Sequence, residues 1–192
     1  MIVASDAPPT GDAKPPASPL PPVPAASARL FLALWPAADE RRQLVRHAQD
    51  WSWRQGSALV QANDLHLTLH FIGALDRQRI AEVSAGLQVP MAPFELSLTR
   101  AELWPRGLAV LRVGKPAAAL IQLHDRLGQA MRALELPPEP RRFRPHVTLA
   151  RRAAESTLPT TPPQHIWRVS SYVLVESLAH AGGAYSIVRR YA

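Results

Sequence analysis

From Arg29 onward, short continuous or alternating apolar runs give way in turn to stretches whose apolar residues recur every three or four positions, which is the signature of strands interleaved with helices. The run RLFLALWP (29–36) is a buried-strand pattern closed by Pro36. Pro36 then opens a helix over Ala37 to Gln49, with Asp39 and Glu40 in the first turn, where the helix dipole favours acidic groups. After a loop holding Trp51 and Trp53, LHLTLHFI (65–72) alternates as a strand, and Asp76 caps a short helix through Leu87. Phe94 to Leu103 and Leu108 to Val113 read as a strand pair turned at Pro105-Arg106-Gly107. Leu120, Leu123, Leu127, Met131 and Leu134 form one apolar stripe and predict a second long helix after Pro116. Beyond the Pro-rich turn from Pro137 to Pro140 come the strand HVTLAR (146–151), a Pro-rich loop and two closing strands, Trp167 to Leu178 and Tyr185 to Tyr191.

Residues 1–28 differ in kind. They carry eight prolines among Ala and Ser and no aromatic residue, so burial cannot offset the entropy of ordering them, and the segment reads as a disordered tail ahead of one folded domain over 29–192. The prolines also break any apolar run that an export signal would need. No stretch is long and apolar enough for a membrane helix. Absence of cysteine excludes disulfides, thiolate metal sites and cysteine nucleophiles, and suits a reducing cytoplasm. Lys and Arg number 22 against 15 Asp and Glu, a net charge of +7 that favours encounter with polyanions.

Laying the second half over the first with a shift of 80 (146 − 66) exposes a repeat: Pro36-Ala37-Ala38 falls on Pro116-Ala117-Ala118, and His66-x-Thr68-Leu69 on His146-x-Thr148-Leu149. Chance alone would place two such motifs in a chain of this composition on the order of once in a thousand, so the duplication is taken as real. Halves built alike can pack about a pseudo-two-fold axis and bring equivalent strands to a shared cleft. Alternation along each strand puts His and Thr on one face and the apolar residues on the other. Two imidazoles can supply the base and the acid that opening a cyclic phosphodiester requires, and threonine hydroxyls can hold the non-bridging phosphate oxygens. A zinc site at His66 and His70 is disfavoured: on a strand, four residues span roughly 13 Å, and the zinc-protease pattern needs Glu where Leu67 stands.

The motifs DLHLTLHFIG and FRPHVTLAR, with the opening RLFLALWP and the closing VSSYVLVESLAHAGGAYSIVRRY, resemble the two-histidine phosphoesterases, and within them the RNA 2',3'-cyclic phosphodiesterases, also called 2'-5' RNA ligases. The resemblance spans Arg29 to Tyr191. It implies an α+β fold of two pseudo-symmetric lobes, each an antiparallel sheet backed by helices, with the site between them. It further implies no metal or organic cofactor, His66 as proton donor to the leaving 3' oxygen, and His146 as proton acceptor activating water. Thr68, Thr148 and Arg151 match phosphate-binding positions, and Phe71 matches a position near the nucleotide. Strict alternation, however, sets Phe71 and Arg151 on the face opposite the histidines. The partner implied is RNA with a 2',3'-cyclic phosphate end, met by a cytoplasmic monomer. Another cyclic or 2',5'-linked nucleotide, and a non-catalytic RNA-binding module, are the alternatives. Arg141, Arg142, Arg144, Arg151 and Arg152 crowd the second motif and suit an RNA backbone. His47, His124, His165 and His180 lack motif context and read as surface or structural residues, and the role of His70 is open.

Overall fold

The structure, a computed structural model, describes residues 26–178 and 184–192. Most of residues 1–28, and His180, lie outside that range. The strand bearing the second motif falls at His146–Arg151, as the pattern put it, whereas the one bearing the first runs over Leu67–Asp76, starting just after His66 and extending beyond the predicted end at Ile72. The strands are β1 (Ser27–Leu34), β2 (Ala58–Leu59), β3 (Leu67–Asp76), β4 (Phe94–Trp104), β5 (Leu108–Val113), β6 (His146–Arg151), β7 (His165–Val169), β8 (Tyr172–Leu178) and β9 (Ala184–Tyr191). The helices are α1 (Ala38–Gln49), α2 (Ile80–Gly86) and α3 (Ala118–Ala133). Ser27 and Ala28 belong to β1 rather than to the tail, because Ala28 is buried opposite Leu75.

The strand order is β7-β4-β5-β6-β3-β1-β8-β9, with β2 paired off this path to the C-terminal end of β6. The ladder divides into two antiparallel groups of four, joined at the centre where Leu67 of β3 pairs with Val147 of β6. Motif strands therefore meet at the seam.

One expectation fails at the C-terminal end. Trp167 to Leu178 is not a single strand: it breaks at Ser170-Ser171 into β7, which pairs with β4 at one edge of the ladder, and β8, which pairs with β1 in the other group. Both pieces are rich in strand-forming residues, so propensity alone shows no break. That crossing adds β7 as the fourth strand of one group and β8 as the third of the other, which β9 completes.

The helices cover the ladder's other face crosswise. Leu44 of α1 packs beside Leu98 and Trp167 of the second group, and His47 meets His165 edge-on at 5.1 Å. The buried stripe of α3, Leu120, Leu123, Leu127 and Met131, lies in the common core with Leu67 and Leu69. His70 of β3, only 5% exposed, donates its Nε2–H to the carbonyl of His124 on α3 at 2.8 Å. His124 is stacked between His70 and Phe143, at 4.0 Å from each. His70 thus acts as a peg between β3 and α3. Gly107, in the β4–β5 turn, has φ +69°, and an added Cβ would fall 2.6 Å from the backbone nitrogen of Ala154, so this turn needs glycine on two counts.

Candidate active site

The pairing of Leu67 with Val147 fixes the centre of the cleft. In an antiparallel ladder that register sets His66 beside Thr148 and Thr68 beside His146, all four on the face away from the helices. The histidines are then diagonal neighbours with Cα atoms about 7–8 Å apart. Both rings and both threonines are half-buried, while the residues between them, Leu67, Leu69, Val147 and Leu149, are buried in the core. Each motif turns an apolar face inward and a polar face to the cleft, as expected.

The two rings are held alike. His66 donates its Nδ1–H to the carbonyl of Asp64 at 2.6 Å, and His146 donates its Nδ1–H to that of Arg144 at 2.6 Å. Those bonds fix the tautomer and leave both Nε2 atoms for chemistry. Burial lowers the pKa of His66 to about 4, opposed by its backbone bond and reinforced by Arg151 and His146. Burial also lowers that of His146, opposed by its backbone bond and reinforced by Arg144, Arg112 and Arg151. Both imidazoles are therefore neutral in the free site at pH 7.

Phe71 corrects the alternation argument. The β1–β3 register runs from Ala33↔Thr68 to Leu32↔His70 and then Phe31↔Phe71, skipping Leu69 and so inserting a bulge. One extra residue inverts the phase of everything after it. Phe71 consequently shares the cleft face with Thr68, lies 6.2 Å from Phe31 and is 58% exposed, which excludes core packing. The same defect recurs at the equivalent place in the second half, where Ala109↔Ala150 is followed by Val110↔Thr148 and Leu149 is skipped. Arg151 beyond it is exposed, pairs with Ala58 of β2, and bears electrostatically on both histidines.

Several site neighbours carried no motif. His66 stacks on Trp35 at 5.3 Å and contacts Phe31 at 5.0 Å and Tyr185 at 5.2 Å. His146 lies 4.5 Å from Trp104, and the Arg144 guanidinium sits 4.1 Å over that indole. Glu102 and Arg112 complete this side. A usable signal was the Trp-Pro pair, at Trp35-Pro36 and again at Trp104-Pro105, each placing an indole against one histidine. Of the arginine cluster, Arg144 and Arg151 reach the histidines, whereas Arg141 pairs with Glu139 at 2.6 Å. His66 and His70 lie on opposite faces of the ladder and cannot share an ion.

A cleft built from two antiparallel His-x-Thr rows on a duplicated α+β ladder is the scaffold of a two-histidine phosphoesterase. The chain belongs to the 2'-5' RNA ligase superfamily, which it matches over residues 34–179. It is 31% identical to the RNA 2',3'-cyclic phosphodiesterase of Escherichia coli (strain K12) over 174 residues, which is 85% of this chain and 96% of that protein. It is 28% identical to the enzyme of the same description from Thermus thermophilus over 184 residues, covering 85% and 89% of the two chains. Among solved structures, the apo form of E. coli LigT superposes with a TM-score of 0.76 at 29% identity, covering 88% of this chain and 98% of that one. The same protein complexed with 3'-AMP gives 0.74 at 28% identity, covering 86% and 98%.

Proposed function

We propose that the chain hydrolyses 2',3'-cyclic phosphate ends of RNA to 2'-phosphomonoesters by acid–base catalysis between its two histidines. The observation that carries this is the antiparallel registration of the two His-x-Thr rows, each imidazole anchored through Nδ1.

His146 Nε2 takes a proton from water as that oxygen bonds to phosphorus, the bond from phosphorus to O3' breaks, and His66 gives its Nε2 proton to O3'. Free His66 is neutral, so the bound phosphodiester anion supplies the counter-charge that lets it enter as imidazolium. The Thr68 and Thr148 hydroxyls and the Arg151 guanidinium hold the non-bridging oxygens, and Phe71 offers a ring for the base. With a 5'-hydroxyl in place of water, the same assignment of roles joins two ends through a 2'-5' linkage, and exchanging the roles re-forms the cyclic phosphate. One chain supplies both motifs, which fits a monomer working in the cytoplasm, and both proton transfers have a side chain assigned without a metal.

The deciding experiment incubates the protein, with EDTA, on an oligonucleotide ending in 2',3'-cyclic phosphate and identifies the product. A 2'-phosphomonoester is expected. Tight binding without turnover at any pH would instead make the chain a binding module.

A further inference from the structure

The two histidines sit in matched motifs but against unmatched walls. Following the ladder outward from each threonine shows it: the row from Thr68 runs through Ala33 to Val173, and the row from Thr148 runs through Val110 to Glu102. Val173 is buried among Phe31, Ala33 and Val175. Glu102, 27% exposed, puts a carboxylate in the same place. One row further, Arg112 pairs with His146 at the position where Trp35 stacks on His66.

An acid beside a phosphate site repels the substrate, so its place here needs a reason, and its bonds supply one. Oε2 accepts the Trp104 indole N–H at 2.6 Å, and Oε1 accepts Arg112 Nη1 at 2.7 Å, with Arg144 Nη2 4.0 Å from Oε2. Burial alone would raise the Glu102 carboxyl, but these bonds and the charges of Arg112 and Arg144 hold it below the usual range. Each partner in turn touches His146: Trp104 by its ring, Arg112 by its place in the ladder, and Arg144 by the carbonyl that takes the Nδ1–H.

We propose that Glu102 is a positioning residue for His146: it fixes Trp104 against the imidazole and tethers Arg112 and Arg144, making one of two identical motifs chemically distinct from the other. The charges bearing on His146 are those of Arg144 in the preceding loop, Arg112 on β5 and Arg151 at the end of β6, with His66 across the seam, and Glu102 on β4 acts through its contacts with Trp104, Arg112 and Arg144. Removing the carboxylate leaves the cations unopposed. The inference rests on His146 being a reacting group, but its test does not depend on turnover alone.

In the full chain, the imidazole C–H signals of His66 and His146 are titrated by NMR for wild type and Glu102→Gln, and the pH profile of kcat/KM is recorded on a nucleoside 2',3'-cyclic phosphate. The variant should titrate His146 lower by about half a unit or more, with His66 moving less, and should lose kcat by about tenfold with KM little changed. An unmoved His146 titration, or a loss confined to KM, overturns the proposal. Should Glu102→Gln fail to fold, Trp104→Phe removes the indole N–H that Glu102 accepts and keeps a smaller aromatic ring beside His146. Its kcat is then expected to fall about threefold or more, and an unchanged kcat overturns the proposal. If wild type leaves cyclic phosphates untouched, the functional reading fails while the titrations still decide what Glu102 does.

Discussion

The wall around His66 is made of rings and the wall around His146 of charges, although the motifs themselves read alike. Phe31, Trp35 and Tyr185 enclose His66, and of the arginines only Arg151 bears on it among the described residues, although burial is the largest cause of the lowered pKa at both histidines. His146 instead stands among Trp104, Arg112, Arg144 and the carboxylate that ties them together. Duplication thus supplies two equivalent proton carriers, and residues one or two strands away make them unequal. The reaction needs one protonated and one neutral imidazole in the complex, and because burial lowers free His66 to about 4, the substrate anion has to favour its protonated form.

The largest effect tests whether two unlike walls serve one reaction. His66→Ala and His146→Ala should each lower kcat by about 10²–10⁴-fold. The double variant should fall little further, because the residues act as a unit. Turnover persisting in both single variants would end the paired mechanism. A loss in only one would mean that the second motif merely binds.

Why the pairing was legible from sequence while the walls were not follows from what each depends on. A His-x-Thr-Leu strand is local, and its repetition at a shift of 80 survives in the fold as the meeting of β3 with β6. The strand ahead of each helix does not keep that shift, since Ala33 corresponds to Val110 through the motif threonines, an offset of 77 (110 − 33). Trp35 and Arg112 become equivalents only once the ladders are known. The bulges at Leu69 and Leu149 leave no mark in a run of ordinary strand residues, and the one at Leu69 alone decides that Phe71 faces the cleft. Similarly, the stripe on α3 shows which face of the helix is buried, not which sheet it covers.

Acid stability should separate the two sides more gently. The unfolded chain protonates His66 near pH 6.5, whereas the folded one resists until about pH 4. Its contribution is therefore complete above pH 6.5 and is lost as pH falls toward 4. A shift of that span is worth about 3 kcal/mol, and contact with the open cleft reduces it to about 2 kcal/mol. Urea midpoints at pH 7.5 and 4.5 should show wild type losing more stability on acidification than His66→Gln. The other buried histidines share the direction of the effect and cancel in this difference. Equal losses would mean that the aromatic wall does not exclude the imidazolium.

The smallest effects are expected at Phe71 and Arg151, which occupy equivalent places beyond the two bulges and repeat the contrast of ring against charge. Phe71 is 58% exposed, so Phe71→Ala should leave stability within about 0.5 kcal/mol. Losing one stacking surface should raise KM about fivefold. That rise should be the same at low and high salt, because stacking releases no counterions. Arg151→Gln should raise KM as well, but mainly at low salt, flattening the dependence of log KM on log salt by about one unit, as expected for a single phosphate contact. Steady-state assays of both variants on one cyclic-phosphate oligonucleotide at two ionic strengths give the comparison. If the Phe71 variant proved salt-sensitive and the Arg151 variant did not, the division of the cleft into a ring side and a charge side would be wrong at its rim, whatever holds at the histidines.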